Sequence, residues 1–181
     1  MAIDFVYETG EGLSDANSYL STDEFLDFAF MLGYDVDTSN YDDIERKLMR
    51  GTLVLDSDFR NRFPGTRATI TQALEFPRNN AYYIDGASIA NNVIPKEIKM
   101  ALTELFFLIE SGTNLQPTID PSGNLSMERI KVDSIEEERR YMRSGGGVLS
   151  KYKVVEDALS RITGGLAGAA QVTLHRAGGQ F

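Results

Sequence analysis

The 181-residue chain has no cysteine and one histidine, His175. The first absence excludes a disulfide framework, thiolate metal sites, a Cys nucleophile and a thiol redox switch; the second excludes a His-based metal cluster and an internal His–His relay. Long apolar runs are lacking too. No stretch approaches the roughly 20 consecutive apolar residues that a membrane helix requires, and residues 1–11 carry acid where a secretory signal would carry Lys or Arg. The expectation is a soluble protein made in the cytoplasm, with no membrane partner. Clustered base is also scarce: the net charge is −9 and the sequence pI is about 4.6, which argues against wrapping duplex DNA by phosphate neutralisation. What is present, 42% apolar and 25% charged residues, suits one substantial globular core.

The charge is unevenly placed. Residues 1–60 hold 14 Asp or Glu against four bases (Arg46, Lys47, Arg50 and Arg60), and residues 61–181 hold the remaining 13 acids against 14 bases. The first third therefore carries −10 and the rest +1. Such an asymmetry fits a partner-facing surface or a solvated helical face.

Helical periodicity dominates. Ser21-Thr22-Asp23-Glu24 is a capping box, Phe25, Phe28, Ala29 and Leu32 follow on one face, and Gly33 ends the helix. A second helix begins near residues 40–42 and carries Ile44, Leu48, Leu55 and Phe59 on one stripe. Gly51 within it costs about 1 kcal/mol relative to Ala and predicts a bend or a close packing contact. Residues 69–74 are compatible with a short helix, which cannot continue through Phe76-Pro77; residues 76–93 read as a surface loop. The third helix starts at Pro95 in its first position. It bears Ile98, Ala101, Leu102, Leu105, Phe106 and Ile109 over more than half its circumference, and it stops at Gly112. So wide an apolar surface belongs at the centre of the core.

Residues 113–126 are turn-forming throughout, and residues 127–141 alternate around Asp133-Ser134 as a β-hairpin or a single extended arm, with a helix over 136–140 as the competing reading. A Gly-rich joint at 144–147 leads to a fourth helix over about 148–162, with Leu149, Tyr152, Val155, Leu159 and Ile162 on one side. The expected fold is mainly α: a small bundle of about four helices forming one domain over 1–163, with an extended arm or β-hairpin at 127–141 and an extended C-terminal tail over 164–181. That Gly/Ala-rich tail cannot bury enough area to fold alone, so it is flexible or ordered by a partner.

Catalytic chemistry finds no foothold. Gly145-Gly146-Gly147 follows no strand and lacks the Gly-Lys-Ser/Thr ending of a phosphate cradle. His175 sits in the tail without a pocket to orient it. The acids at Asp35, Asp37, Asp42 and Asp43 lack the sixth-position Gly and twelfth-position Glu of a calcium loop. No catalytic, cofactor-binding or metal-binding residue is assigned, and no cofactor is expected. Nor are aromatics and bases interleaved as a single-strand stacking platform requires.

Four local patterns recur in a recognisable order: 16–21 (Ala-Asn-Ser-Tyr-Leu-Ser), 72–78 (Gln-Ala-Leu-Glu-Phe-Pro-Arg), 94–105 (Ile-Pro-Lys-Glu-Ile-Lys-Met-Ala-Leu-Thr-Glu-Leu) and 129–132 (Arg-Ile-Lys-Val) with Tyr141. Over roughly residues 14–163 the chain resembles the head–tail adaptor (connector, or head-completion) proteins of tailed phages, sequences often labelled DnaT-like single-stranded-DNA-binding proteins. The family often has Trp where this chain has Phe76. The resemblance implies a structural virion protein located at the capsid vertex. It implies a homo-oligomeric ring, usually of twelve copies, beneath the portal protein, which lengthens the DNA channel and meets the next neck or tail protein. Genomic DNA would pass through without sequence-specific binding.

On that reading Ile130, Val132, Ile135 and Tyr141 in the arm contact the adjacent subunit, and Leu174, Arg176 and Phe181 in the tail dock on the portal, as apolar and Arg anchors do at hot spots. Leu74, Phe76, Pro77 and Arg78 form a structural motif: Phe76 caps the core, Pro77 stops the preceding element and Arg78 pairs with an acid. The competing function is single-stranded-DNA binding in replication, with Arg60, Arg62, Arg67 and Arg78 beside Phe63 and Phe76 as the groove.

Overall fold

The computed structural model describes residues 3–113, 128–132, 135–139 and 152–163. Among the described residues there are four α-helices: α1 (Thr22–Leu32), α2 (Tyr41–Phe59), α3 (Lys96–Glu110) and α4 (Lys153–Thr163). Six short strands join them as three antiparallel two-stranded ladders: β1 (Thr66–Arg67) with β2 (Arg78–Asn79), β3 (Ala81–Tyr82) with β4 (Ser88–Ile89), and β5 (Glu128–Val132) with β6 (Ile135–Arg139). The mainly α bundle expected from periodicity is the architecture observed.

α1 starts as its capping box requires. Ser21 Oγ accepts from the Glu24 amide at 3.2 Å while Glu24 Oε2 accepts from the Ser21 amide at 3.4 Å, and Gly33 closes the helix at φ 83°. Each satisfies backbone groups that the helix ends leave without intrahelical partners. α2 is continuous across Gly51, so the glycine serves close packing: a Cβ there would lie 2.8 Å from Leu102 Cδ1 of α3. α3 is the central element, packed against α1, α2 and α4, with Ile98, Ala101, Leu102 and Leu105 at 0% exposure. Pro95 caps it from one residue outside the first helical position expected. Among the described residues α4 and the residue before it supply Tyr152, Val155, Leu159 and Ile162 to the core; the expected start at 148–151, with Leu149, lies outside them.

Two expectations fail. Residues 69–74 are not helical. The Gln72 side chain closes them into a turn instead, accepting from the Thr69 amide at 2.8 Å while Thr69 Oγ1 accepts from the Gln72 amide at 3.1 Å. Local side-chain bonds of this kind compete directly with a helix. Residues 76–93 are not merely a surface loop, because they contain β2, β3 and β4 and bury Phe76, Ala81 and Ile89.

Candidate functional site

The 72–78 motif is a buried polar staple around one aromatic ring. Phe76 is fully buried and meets Phe63 edge-on at 5.1 Å between centroids. Gln72 donates to the carbonyls of Leu74 (2.7 Å) and Pro77 (3.0 Å). Arg78 is buried, and its guanidinium donates to the carbonyls of Pro64 (2.8 Å), Gly65 (2.9 Å) and Glu75 (3.3 Å) and to the Glu75 carboxylate (2.7 Å). A buried charge is tolerated only when paired and hydrogen-bonded, and all four of these bonds stay within the fold. The acid partner expected for Arg78 is thus Glu75, three residues away.

Beneath the turn, Tyr19 anchors it to α2. Its hydroxyl donates to Asp56 Oδ1 at 2.5 Å and accepts from the amides of Glu75 (3.0 Å) and Phe76 (3.2 Å), while Asp56 Oδ2 accepts from the Glu75 amide at 3.1 Å. Burial pushes the Asp56 carboxyl up to about 6, against the opposing pull of the bonds from Tyr19 and Glu75. Burial, with the neighbouring Asp56, likewise raises the Tyr19 phenol well above its ordinary value.

The four arginines of the candidate DNA groove differ in what holds them and in exposure, Arg60 and Arg67 being exposed and Arg78 buried. Arg78 is consumed as described, Arg67 donates to the Gln72 carbonyl at 3.3 Å, and Arg62 pairs with Glu156 at 3.2 Å while lying over the Phe59 ring. Phe63 and Phe76 are buried at 6% and 0% exposure, so neither ring offers a face to a base. Arg60 is exposed.

A second polar anchor leaves little trace in the sequence. Glu97, 3% exposed in the first turn of α3, accepts from Arg161 of α4 at 3.0 Å and from the Tyr83 hydroxyl at 3.4 Å; Arg161 also reaches Asp85 at 3.3 Å and lies over the Tyr83 ring. The one visible signal is that Glu97 shares a helical face with Ala101 and Leu105, at offsets of four.

The arm is a β-hairpin. β5 and β6 pair in the register Glu128↔Arg139, Arg129↔Glu138, Ile130↔Glu137, Lys131↔Glu136 and Val132↔Ile135, so the helical alternative over 136–140 is excluded for residues 136–139. By sequence, three of these five pairs are of opposite charge and one is apolar. Positions 130, 132 and 135 fall on one face of the ladder. Neither strand pairs with any third strand among the described residues. Tyr141 and the tail positions Leu174, Arg176 and Phe181 lie outside the described residues. Within them, no group of three or more His, Asp or Glu side chains could hold a metal ion, and no helix is long and apolar enough to cross a membrane.

A family model described as "Putative DnaT-like ssDNA binding protein" matches residues 3–177. No curated protein and no solved structure matches.

Proposed function

We propose, from the premise that the chain belongs to this DnaT-like family, that it is a structural protein of the virion: a head–tail adaptor whose ring sits under the portal, lengthens the DNA channel and joins the capsid vertex to the neck or tail. The observation that carries the reading is the β5–β6 hairpin. It is inserted between α3 and α4, two helices that pack on each other in the core, and among the described residues neither of its edges is paired. An isolated two-stranded hairpin is at best marginally stable in water, and an open edge is a template for strand addition by another chain. A neighbouring subunit would supply a third strand and a contact for positions 130, 132 and 135. In this reading Tyr141 extends the same contact, Leu174, Arg176 and Phe181 meet the portal, and the protein acts by shape and contact rather than catalysis.

Size-exclusion chromatography with light scattering, on the chain alone and with portal protein, tests the assignment. A ring-sized species that co-elutes with portal is expected. A chain that stays monomeric and separate from portal under all conditions defeats it. Electron microscopy of the neck addresses the tail: a ring with no tail density against the portal removes the docking role of Leu174, Arg176 and Phe181.

The family's description favours a second reading, binding of single-stranded DNA. Steep loss of affinity with salt is its signature, because phosphate contacts release counterions. The internal bonds of Arg62 and Arg78 support placing any such contact elsewhere than on those two residues, while Arg60 and Arg67 are exposed.

A further inference from the structure

A cleft of about 410 Å³ is lined by Tyr7, Glu8 and Thr9 of the N-terminal segment and by Asn92, Val93 and Ile94 ahead of α3. Tyr7 bridges Ser18 in parallel: the Val6 carbonyl accepts from the amides of Asn17 (2.7 Å) and Ser18 (3.2 Å), and the Glu8 amide donates to the Ser18 carbonyl at 2.8 Å. In such a ladder the residue between the bonded positions turns its own N–H and C=O to the opposite edge, and alternation places those of Phe5 and Thr9 beside it. The backbones of Phe5, Tyr7 and Thr9 make no hydrogen bond among the described residues. This is a strand edge with nothing on it, and Tyr7 is 43% exposed. The edge is also held in place. The Glu8 carboxylate accepts from the amides of Gly10 (2.8 Å), Gly12 (2.9 Å) and Leu13 (2.8 Å), and at Gly10, where φ is 103°, a Cβ would lie 2.1 Å from the Asn92 carbonyl oxygen. The two sets of lining residues are thus fixed against each other, so little ordering is needed when a strand enters.

We propose that β5 of a neighbouring subunit lies in this cleft and adds as a strand to residues 5–9. The inference rests on the adaptor reading, which supplies the second copy, and it names the surface that receives the arm. An edge of free N–H and C=O groups is completed by another extended backbone, and β5 is a five-residue strand without a third-strand partner among the described residues. Charge chooses between the two strands of the arm. Residues 4–11 carry Asp4, Glu8 and Glu11 and no base, with Asp4 and Glu11 exposed. The one base lining the cleft, Lys99, is already paired with Glu24 at 2.6 Å. By sequence β5 brings Arg129 and Lys131 against one acid, Glu128, whereas β6 brings Glu136, Glu137 and Glu138 against one base, Arg139. Like charges across a ladder destabilise it, so β5 is the strand that fits. The period of two agrees: with positions 129 and 131 on the side of Asp4 and Glu8, positions 130 and 132 fall on the side of Phe5 and Tyr7, which sets β-branched residues beside aromatic ones.

Photo-cross-linking in assembled rings of the full chain tests it. Tyr7→p-benzoyl-phenylalanine keeps an aromatic ring at the cleft, and rings are built from equal parts of unlabelled and heavy-nitrogen-labelled chains before irradiation and mass spectrometry. Cross-links from position 7 to 128–132 that join one labelled and one unlabelled chain are expected. Links to 135–139, links that never mix the labels, or no links overturn the proposal. Tyr7→Pro provides the second measurement, because it deletes the free N–H while the bonds to residues 17 and 18, made by Val6 and Glu8, remain. The variant should melt as the wild type does yet need about tenfold more protein to form ring-sized species in light scattering. Assembly equal to wild type overturns the proposal, and the cross-link map decides by itself if Tyr7→Pro fails to fold. Wild-type rings whose probe variant gives no link to β5 defeat this inference and leave the adaptor reading standing, whereas a wild-type chain that forms no ring at any concentration defeats both.

Discussion

Phe76 shows how one side chain can hold a turn that local propensity would leave open. The ring is fully buried against Phe63, and the polar groups around it, Gln72, Arg78 and the Tyr19 hydroxyl, all bond to backbone atoms of the turn or of the segment just before it. Phe76→Ala removes the ring but leaves that polar frame, so the cost is cavity and lost transfer energy, about 3–5 kcal/mol. Thermal denaturation should show it, and a mutant that melts with the wild type would show that Phe76 is not the anchor. Asp56 gives a prediction of opposite character, because its folded-state carboxyl is raised to about 6. The protonated form is then favoured by folding. Its stabilising contribution is complete below the unfolded carboxylate range and is lost as pH rises through about 6. The stake is at most about 3 kcal/mol. Carboxyl-carbon NMR titration should place the Asp56 midpoint near 6, and a midpoint in the ordinary carboxylate range would refute the burial argument.

At the level of elements, helices are legible where end signals and periodicity agree. The Ser21–Glu24 box, Gly33 and Gly112 are local devices, and each appears in the structure as its chemistry dictates. Partners distant in sequence are not legible. Glu97 and Arg161 lie 64 positions apart, and a first-turn glutamate reads equally well as a helix-dipole charge. The Gln72 turn reads as helix because its sequence has acceptable helix formers, while the bonds that decide against a helix are made by one amide side chain to backbone. The arm shows in its alternation, but which residue faces which depends on where the two strands turn, and alternation alone leaves that open. Gly51 turns this lesson into a measurement. On propensity alone Gly51→Ala should stabilise α2 by about 1 kcal/mol. The new Cβ would meet Leu102 Cδ1 at 2.8 Å, inside a fully buried α2–α3 contact, and overpacking of this kind costs about 1–3 kcal/mol. A net loss of roughly 1 kcal/mol is expected from the difference. In a double-mutant cycle with Leu102→Ala the two changes should be less than additive, since the second removes the atom that the first collides with. Simple additivity, or a stabilised Gly51→Ala, would mean that the contact is not tight.

At the scale of the whole molecule the charge asymmetry becomes a question of orientation. Of the −10 of residues 1–60, −4 lies before α1 (Asp4, Glu8, Glu11 and Asp15) and −6 on α1, α2 and the residues around them, where Asp23, Asp27, Asp35, Asp42 and Asp58 are exposed. In an adaptor ring these acids have two possible homes, the outer rim or the channel wall. On the wall they would repel the phosphates of passing DNA, because a surface of one sign projects a potential of several kT at low ionic strength. The expectation is that the wall is their place. Asp27→Asn, Asp35→Asn and Asp42→Asn together then leave folding intact, since none of these side chains is buried, but weaken the repulsion. Wild-type rings should retain no DNA at low salt, and triple-variant rings should retain it in a manner abolished by added salt, as screening of a phosphate contact requires. Rings that behave alike with and without the three acids would place the acidic surface outside the channel, and the asymmetry would then mark a face for a basic protein partner instead.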